Sequence, residues 1–503
     1  MKNLAQKNIL ILGLGASGLA MARWCARCGA QVTVADTRAA PPQLAALRTG
    51  VPAAKFLNSQ LDETLLAGAA FDIVLKSPGL SPASVSGVLT AAKARAIPCG
   101  NELSLFAQAL ADLKNDQAYS PKVIGITGTN GKTTVTSLTG LLIRRAGKSV
   151  AVAGNIGPTL LDTLAEQLDR RAADSALSLP EVWVLELSSF QLDGISNFEP
   201  AVATVLNISQ DHLDWHETLP AYIAAKANVY GSGGLMLLNR DDAQVMTALP
   251  APVKGKPARS YLTFGGDEPT RPGDYGIETA NGMAWLVRAA EAGEIVKRRQ
   301  AEEPALQIQR LMPLQALRIH GRHNATNALA ALGLAVAVGC ALAPLLHGLR
   351  DYRGEPHRVE PVAVLDEVAY FDDSKGTNVG ATVAALTGLG AERKLVLILG
   401  GDGKGQDFSP LADPVSRHVR AVVLIGRDAP LIKAALQATQ VPLLDAASMH
   451  EAVGLAARQA KSGDAVLMSP ACASFDMFDN YEHRAQAFCE AVQGLAQELG
   501  VVL

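Results

Sequence analysis

Between Gly125 and Thr134 the chain reads GITGTNGKTT, residue types that in this order can hold a triphosphate. Small residues let backbone N–H groups curl around phosphate oxygens, and a helix beginning just after them adds the positive end of its dipole. Lys132 can neutralise the β- and γ-phosphates, and the neighbouring hydroxyl of Thr133 can ligate Mg²⁺. Five residues rather than four separate Gly125 from Gly131, so the loop is one residue longer than the usual form.

A second glycine run, Gly13-Leu-Gly-Ala-Ser-Gly18, is followed by Asp36 at the end of the next apolar run. That spacing suits a dinucleotide, and equally any diphosphate such as a nucleotide-sugar, with Asp36, Thr37 or Arg38 near the nucleoside. A turn required only for close helix–strand packing is the plainer alternative. Glu186 in LELSSFQL and Asp211-His212 in NISQDHLDWH follow apolar runs beyond the phosphate loop, where carboxylate and imidazole suit Mg²⁺. Singly each reads as a cap or ion pair; following one phosphate loop together they favour a metal. Lys226, in AYIAAKANVY, reads from the residues alone as a solvated helix lysine. Asn324 and Asn327 in GRHNATNALAAL read as a helix start with its cap.

Toward the C-terminus, Asp372-Asp373-Ser-Lys375-Gly-Thr377-Asn378, the GGDGKGQDF stretch with Lys404, and SPACASFDMFDNYEHR with Ser474 and Arg484 place polar groups on three loops. Such a set fits a small anionic substrate better than a hydrophobic one. Cys25 and Cys28 form a CxxC in a predicted helix with no second pair, so reduced helix thiols are expected there.

Groups so far apart in sequence must be gathered by strand ends. Asn8–Leu12, Gln31–Ala35 and Phe71–Leu75 are expected strands, and Leu19–Cys28 a helix. Lys122–Ile126, then a helix over Thr133–Ala146, and strands at Glu181–Leu185 and Ala203–Leu206 begin a second α/β unit. The stretch 265–310 is irregular, rich in Gly, Pro and charge, and reads as an elaborated surface segment. A helix resumes near His323. Val368–Phe371, Lys394–Gly400, Ala421–Ile425 and Ala465–Met468 are the strands of a third unit. The polar links LKNDQAYSP and DYRGEPHRVE divide the chain at 1–118, 119–355 and 356–503.

Composition agrees with soluble α/β architecture: 503 residues, 18% charged, a formal net charge of −3, and six cysteines. No Lys/Arg block favours a nucleic-acid or membrane surface. The apolar run Ile9–Ala22 has a signal-peptide flavour, but it carries the glycine motif and runs into Arg23 and Arg27 without a cleavage site. A cytoplasmic location is expected. A dinucleotide-dependent oxidoreductase would explain GLGASG and leave GTNGKTT without purpose. A non-catalytic nucleotide sensor would leave the C-terminal loops unexplained.

With GTNGKTT, LELSSFQL, HGRHNATNALAA, DDSKGTN, GGDGKG and SPACASFD in this order, the whole chain resembles the Mur ligases, and DDSKGTN with SPACASFD resembles the branch that adds D-glutamate. The resemblance implies three α/β domains: an N-terminal Rossmann-like UDP-binding domain, a central P-loop ATPase-like domain and a C-terminal Rossmann-like domain. It implies a cytoplasmic peptidoglycan-synthesis ligase that joins D-glutamate to UDP-N-acetylmuramoyl-L-alanine through an acyl phosphate, acting as a monomer with ATP and two Mg²⁺ ions.

The resemblance also assigns residues. UDP would lie near Ala16, Ser17, Asp36, Thr37, Arg38 and Gly79, with Asn155 reaching the same substrate. ATP would meet Gly128, Thr129, Asn130, Gly131, Lys132, Thr133, Thr134, Asn324, Asn327, Arg358 and Asp373. Thr133, Glu186, His212 and Lys226 would hold metal, Lys226 as a carbamate made from CO₂. Thr377, Lys404, Ser474, Phe475 and Tyr481 would hold D-glutamate, and Lys132, His212, Lys226 and Lys375 would serve the chemistry. Thr133 stands where some relatives have Ser, Gly376 where Ala is familiar, and Tyr481 where Phe occurs.

Overall fold

The computed structural model describes residues 4–68, 70–252, 255, 258–291, 306–391 and 393–501. Its strands form three sheets. The first contains β1 (Asn8–Leu12), β2 (Gln31–Asp36), β3 (Lys55–Asn58), β4 (Ile73–Lys76) and β5 (Cys99–Gly100), all parallel, in the order β3-β2-β1-β4-β5. The strand order reverses between β1 and β4, which opens a crevice at their carboxyl ends. The glycine run forms the turn from β1 into the helix Ala16–Arg27. A Cβ at Gly18 would lie 2.1 Å from the Gly13 carbonyl oxygen, so close helix–strand packing demands glycine there.

The second sheet is built from β6 (Lys122–Thr127), β7 (Val150–Gly154), β8 (Val182–Glu186), β9 (Val202–Val205), β10 (Leu235–Asn239), β11 (Tyr261–Phe264), β12 (Tyr275–Ala280), β13 (Met283–Glu291) and β14 (Leu306–Pro313). Their order is β14-β13-β12-β11-β10-β9-β6-β8-β7. The strands β8 and β9 are buried throughout, the continuous apolar reading of a parallel sheet covered on both faces. Lys132–Arg145 packs against Arg322–Ala337 over one face.

One expectation fails in this sheet. The stretch taken as irregular contains β12, β13 and β14, paired antiparallel; residues 292–305 lie outside the described residues. Its cause is a two-residue turn, Asn281-Gly282, with φ of 52° and 76°. Positive φ at both central positions matches the strand twist and closes a hairpin, and Asn-Gly is the sequence that adopts it most readily.

The third sheet holds β15 (Glu360–Leu365), β16 (Val368–Asp372), β17 (Leu395–Gly400), β18 (Val419–Ile425), β19 (Leu443–Asp445) and β20 (Ala465–Met468), ordered β15-β16-β20-β17-β18-β19. Only β15 runs antiparallel to its neighbour. Apolar clusters cover both faces, one around Leu386, Leu397 and Leu424, the other around Val466, Val423 and Phe488.

The helix Glu102–Gln117 ties the first sheet to the second. Its Phe106 meets Trp183 of β8 edge-to-face at 5.1 Å, and the Trp183 indole donates to the Tyr119 hydroxyl at 2.8 Å. Burying aromatic surface of this size contributes about 2–3 kcal/mol. Lys76, at the end of β4, meets Asp193 of the second unit at 3.3 Å. Among the described residues no helix is long and apolar enough to cross a membrane.

Candidate active site

The phosphate loop leaves β6 between two neighbours, β8 and β9, whose last residues pair with Ile126 and Thr127. Gly131 caps the following helix at φ 83°, and a Cβ there would sit 2.8 Å from Asn327 Oδ1. Replacing Gly131 with alanine is therefore expected to cost about 1–3 kcal/mol of strain and to weaken ATP binding at least tenfold, read by nucleotide titration. Asn207, after β9, shapes the loop: its Oδ1 accepts Asn130 N–H at 2.8 Å and its Nδ2 donates to Asn130 O at 3.0 Å. Lys132 Nζ folds back onto the Gly128 and Thr129 carbonyls, 2.9 and 2.7 Å away, acceptors that a phosphate oxygen would outcompete. Enclosure by protein lowers the Lys132 pKa, and Glu186 offsets part of that.

Glu186 ends β8 with 1% of its surface exposed. Its Oε1 accepts Asn155 Nδ2 at 2.7 Å, whereas Oε2 is buried without a hydrogen-bond partner. Asn155, expected on the nucleotide-sugar, thus lies against this carboxylate. Lys226 overturns the solvated-lysine reading of its helix. It is 2% exposed, donates to Gly128 O at 2.9 Å and Thr127 Oγ1 at 3.4 Å, and lies 4.6 Å from the Tyr222 ring centroid. Burial, reinforced by the charge of Lys132, pushes its pKa well below the usual lysine value. His212 stands at φ 53° with its Nε2 3.6 Å from Asp211 Oδ2 and its ring against Phe190.

These groups fit a divalent cation. Glu186 Oε2, buried without a partner, and the Thr133 hydroxyl are hard oxygen donors of the kind Mg²⁺ takes, and the His212 imidazole is a borderline donor that could join them. Thr133 Oγ1 already accepts from Arg358 NH2 at 3.1 Å, so the third unit reaches the phosphate loop directly.

A cleft beside the loop is lined by Asn130, Thr134, Leu206, Asn239, Phe264, Asn324, Asn327, Arg358 and Asp373. Apolar faces and amide edges together suit a purine nucleoside. The sequence reading assigned no role to Asn207, Asn239 or Phe264; each lies just past or at a strand end, the one signal that could have marked it. Asn324 does not cap its helix. Gly321 holds that position, and Asn324 Nδ2 instead donates back to His320 O at 2.8 Å, with its Oδ1 accepting from Asn327 Nδ2 at 3.2 Å. Burial lifts the Asp373 carboxyl to about 7 against the hydrogen bond from Ser469.

Thr377 and Lys404 share a second cleft with Asp211 and His212. Tyr481 is not part of that lining; its hydroxyl accepts from Lys375 Nζ at 2.8 Å. Burial lowers the Lys375 pKa, with Arg358 adding to the effect. Ser474 is buried, while Phe475 is 70% exposed and lines neither cleft. Arg484 is buried and braces the loop by donating to Ser374 O and Cys472 O.

At the carboxyl edge of the first sheet, Ala16 and Ser17 open the helix after the glycine run. Asp36 accepts Leu14 N–H at 2.8 Å and a two-point contact from the Arg38 guanidinium, which holds its pKa at about 2. Thr37 follows on the same edge, its carbonyl accepting from Asn58 Nδ2, and Gly79 lies in the loop after β4. Cys25 and Cys28 are free thiols, and burial raises both pKa values.

This is the construction of an ATP-grasping phosphate loop facing an acceptor domain, and sequence families agree with it. Residues 126–335 match the Mur ligase middle domain, 357–472 the Mur ligase glutamate ligase domain, and 7–100 the Mur ligase MurD-like N-terminal domain. The chain belongs to the Mur ligase family. It is 66% identical to the UDP-N-acetylmuramoylalanine–D-glutamate ligase of Albidiferax ferrireducens, over 99% of this chain and 98% of that one. It is 58% identical to the ligase of the same name from a Polaromonas species, with both chains covered in full. Among solved structures, the MurF ligase of Thermotoga maritima with ADP superposes with a TM-score of 0.57 at 15% identity, covering 99% of this chain and 98% of that one. A pseudomurein peptide ligase type C from Methanothermus fervidus gives 0.53 at 18%, covering 97% and 100%. These two likenesses bear on fold alone.

Proposed function

We propose that the protein is an ATP-dependent amide ligase that joins D-glutamate to UDP-N-acetylmuramoyl-L-alanine in peptidoglycan synthesis. One observation carries the reading. The cation-bearing loops of the third unit, with Thr377 and Lys404, face Asp211 and His212 of the second across one cleft. An amino-acid dicarboxylate held by Lys404 would therefore lie beside Asp211 and His212. Identity of 66% to a ligase of that name supports the same substrates.

The L-alanine carboxylate attacks the γ-phosphorus, ADP leaves, and the amine of D-glutamate attacks the resulting acyl phosphate. Phosphate is expelled and an amide remains. Lys132 neutralises the triphosphate as the carboxylate approaches, and the charge of Lys375, held by the Tyr481 hydroxyl, faces the same centre. Mg²⁺, held by Thr133, Glu186, His212 and a carbamate on Lys226, would supply electrostatic shielding of the phosphates. The crevice with Ala16, Ser17, Asp36, Thr37, Arg38 and Gly79 takes UDP. Asn324, Asn327, Arg358 and Asp373 take the nucleoside end of ATP, and Ser474, Phe475 and Tyr481 complete the D-glutamate subsite. Residues 1–118, 119–355 and 356–503 are the three functional domains. We propose further that the protein acts as a monomer, and the need for ATP supports the cytoplasm.

Phosphate release in the presence of UDP-N-acetylmuramoyl-L-alanine tests the reading. D-glutamate should stimulate it at least a hundredfold over L-glutamate, L-lysine and glycine. Equal stimulation by L-glutamate would sink the assignment of the amino acid.

A further inference from the structure

We propose that His357 and Asp372 form a clasp that holds a strained turn in place and thereby positions Arg358 over the phosphate loop. His357 and Val359 both occupy the left-handed region, at φ 62° and 51°. That region is uncommon for any side chain other than Gly, Asn or Asp and is an outlier for a β-branched residue. Arg358 lies between them. Two strained residues flanking one functional arginine persist only where the surroundings over-determine them.

The surroundings do so from both sides. The His357 ring donates through Nδ1 to Asp372 Oδ2 at 2.7 Å, and His357 N–H donates to Glu360 Oε2 at 2.8 Å. The His357 carbonyl accepts Lys375 N–H at 3.1 Å. Beyond the arginine, Val359 N–H donates to Asp373 Oδ1 at 3.3 Å. The two adjacent carboxylates of one loop therefore staple the two ends of one tripeptide. Asp372 is itself fixed, its Oδ1 accepting Ser374 N–H and Oγ–H at 2.9 and 2.6 Å. With both ends pinned, the Arg358 side chain is directed across to Thr133 Oγ1, 3.1 Å away. His357, Glu360 and Asp372 also bring one ligand-type atom each within 4.8 Å of one another. Their nearest atoms are spent on each other and on the turn, so the cluster serves as a clasp.

His357 is a positioning residue: it acts through Arg358. The kinetic part of this inference rests on the proposed ligase reading, but the binding part does not. The test compares His357→Gly, which keeps the left-handed backbone and deletes only the ring, with His357→Asn, whose amide can donate to Asp372 and tolerates positive φ. Asp372→Asn, isosteric and able to fold where a truncation would not, gives the reciprocal change. ATP affinity, measured with Mg²⁺ and no amino acid, should weaken about fivefold to tenfold in His357→Gly and Asp372→Asn and recover most of the loss in His357→Asn. In the kinetic assay kcat should fall at least tenfold while KM for D-glutamate stays within twofold. In an Arg358→Ala background, His357→Gly should add less than twofold to either loss. A multiplicative loss in that background, or wild-type ATP affinity in His357→Gly, would overturn the clasp. If wild-type enzyme showed no D-glutamate dependence while the affinity pattern held, the substrate reading would fail and the clasp would stand.

Discussion

Replacing Lys226 with alanine should reduce D-glutamate-dependent phosphate release about a thousandfold, a loss of about 4 kcal/mol in the barrier. The reason lies in where the amine is kept. Its two hydrogen bonds go to neutral oxygens, Gly128 O and Thr127 Oγ1, inside a nearly closed pocket beside a second cation, Lys132. The Tyr222 ring face and the charge of Asp211 only partly offset the cost of burying an ammonium there, and burial drives its pKa well down. The neutral amine is the form that attacks CO₂, losing a proton as the C–N bond forms, and the carbamate proposed for Lys226 would place an anion at the phosphate end of the site. The sign with pH follows. Below the lowered pKa the amine is protonated and cannot load, so activity in CO₂-depleted buffer should fall as pH falls and return with bicarbonate. Alanine leaves room for a small carboxylate, and acetate or propionate should restore part of the rate. Wild-type activity in Lys226→Ala, or rescue absent at high acetate with the fold intact by melting, would remove the carbamate from the mechanism.

Lys226 also shows what the sequence conceals. Its helix, LPAYIAAKA, has no periodicity that distinguishes a buried lysine from a solvated one. Burial is imposed by the ends of other strands and by Tyr222, contacts that no local pattern encodes. The phosphate loop was legible for the opposite reason. Gly128, Gly131, Lys132 and Thr133 act within one turn, and their spacing is the geometry. Strand positions were legible wherever parallel strands read as unbroken apolar runs, as at Val182–Glu186. They were lost in 265–310, where Gly, Pro and charged residues interrupt the apolar runs, β14 has a single buried residue, and only Asn281-Gly282 marks the hairpin. Asn207 and Asn239 were invisible for a different reason. An asparagine after a strand is common, and only the fold reveals that one clamps Asn130 and the other lines the nucleoside cleft.

Substituting Glu186 with glutamine should leave stability nearly unchanged and remove most of the activity. A carboxylate oxygen buried without a partner costs about 1–3 kcal/mol, and Glu186 Oε2 is such an atom. Glutamine keeps the shape and the Asn155 contact at its carbonyl while removing the charge, but its NH₂ is buried where Oε2 stood and Lys132 loses a compensating anion, so the ligand-free protein should melt within a few degrees of wild type. Activity should fall a hundredfold to a thousandfold, about 3–4 kcal/mol, and half-maximal rate should need at least tenfold more Mg²⁺. A carboxylate kept merely for folding would give the reverse, a lower melting point with an unchanged Mg²⁺ requirement. That outcome would remove Glu186 from the metal site. The expected outcome would mean that the unpaired oxygen is kept for the reaction rather than for the fold. Melting in EDTA and phosphate release across a Mg²⁺ series separate the two on the same preparation.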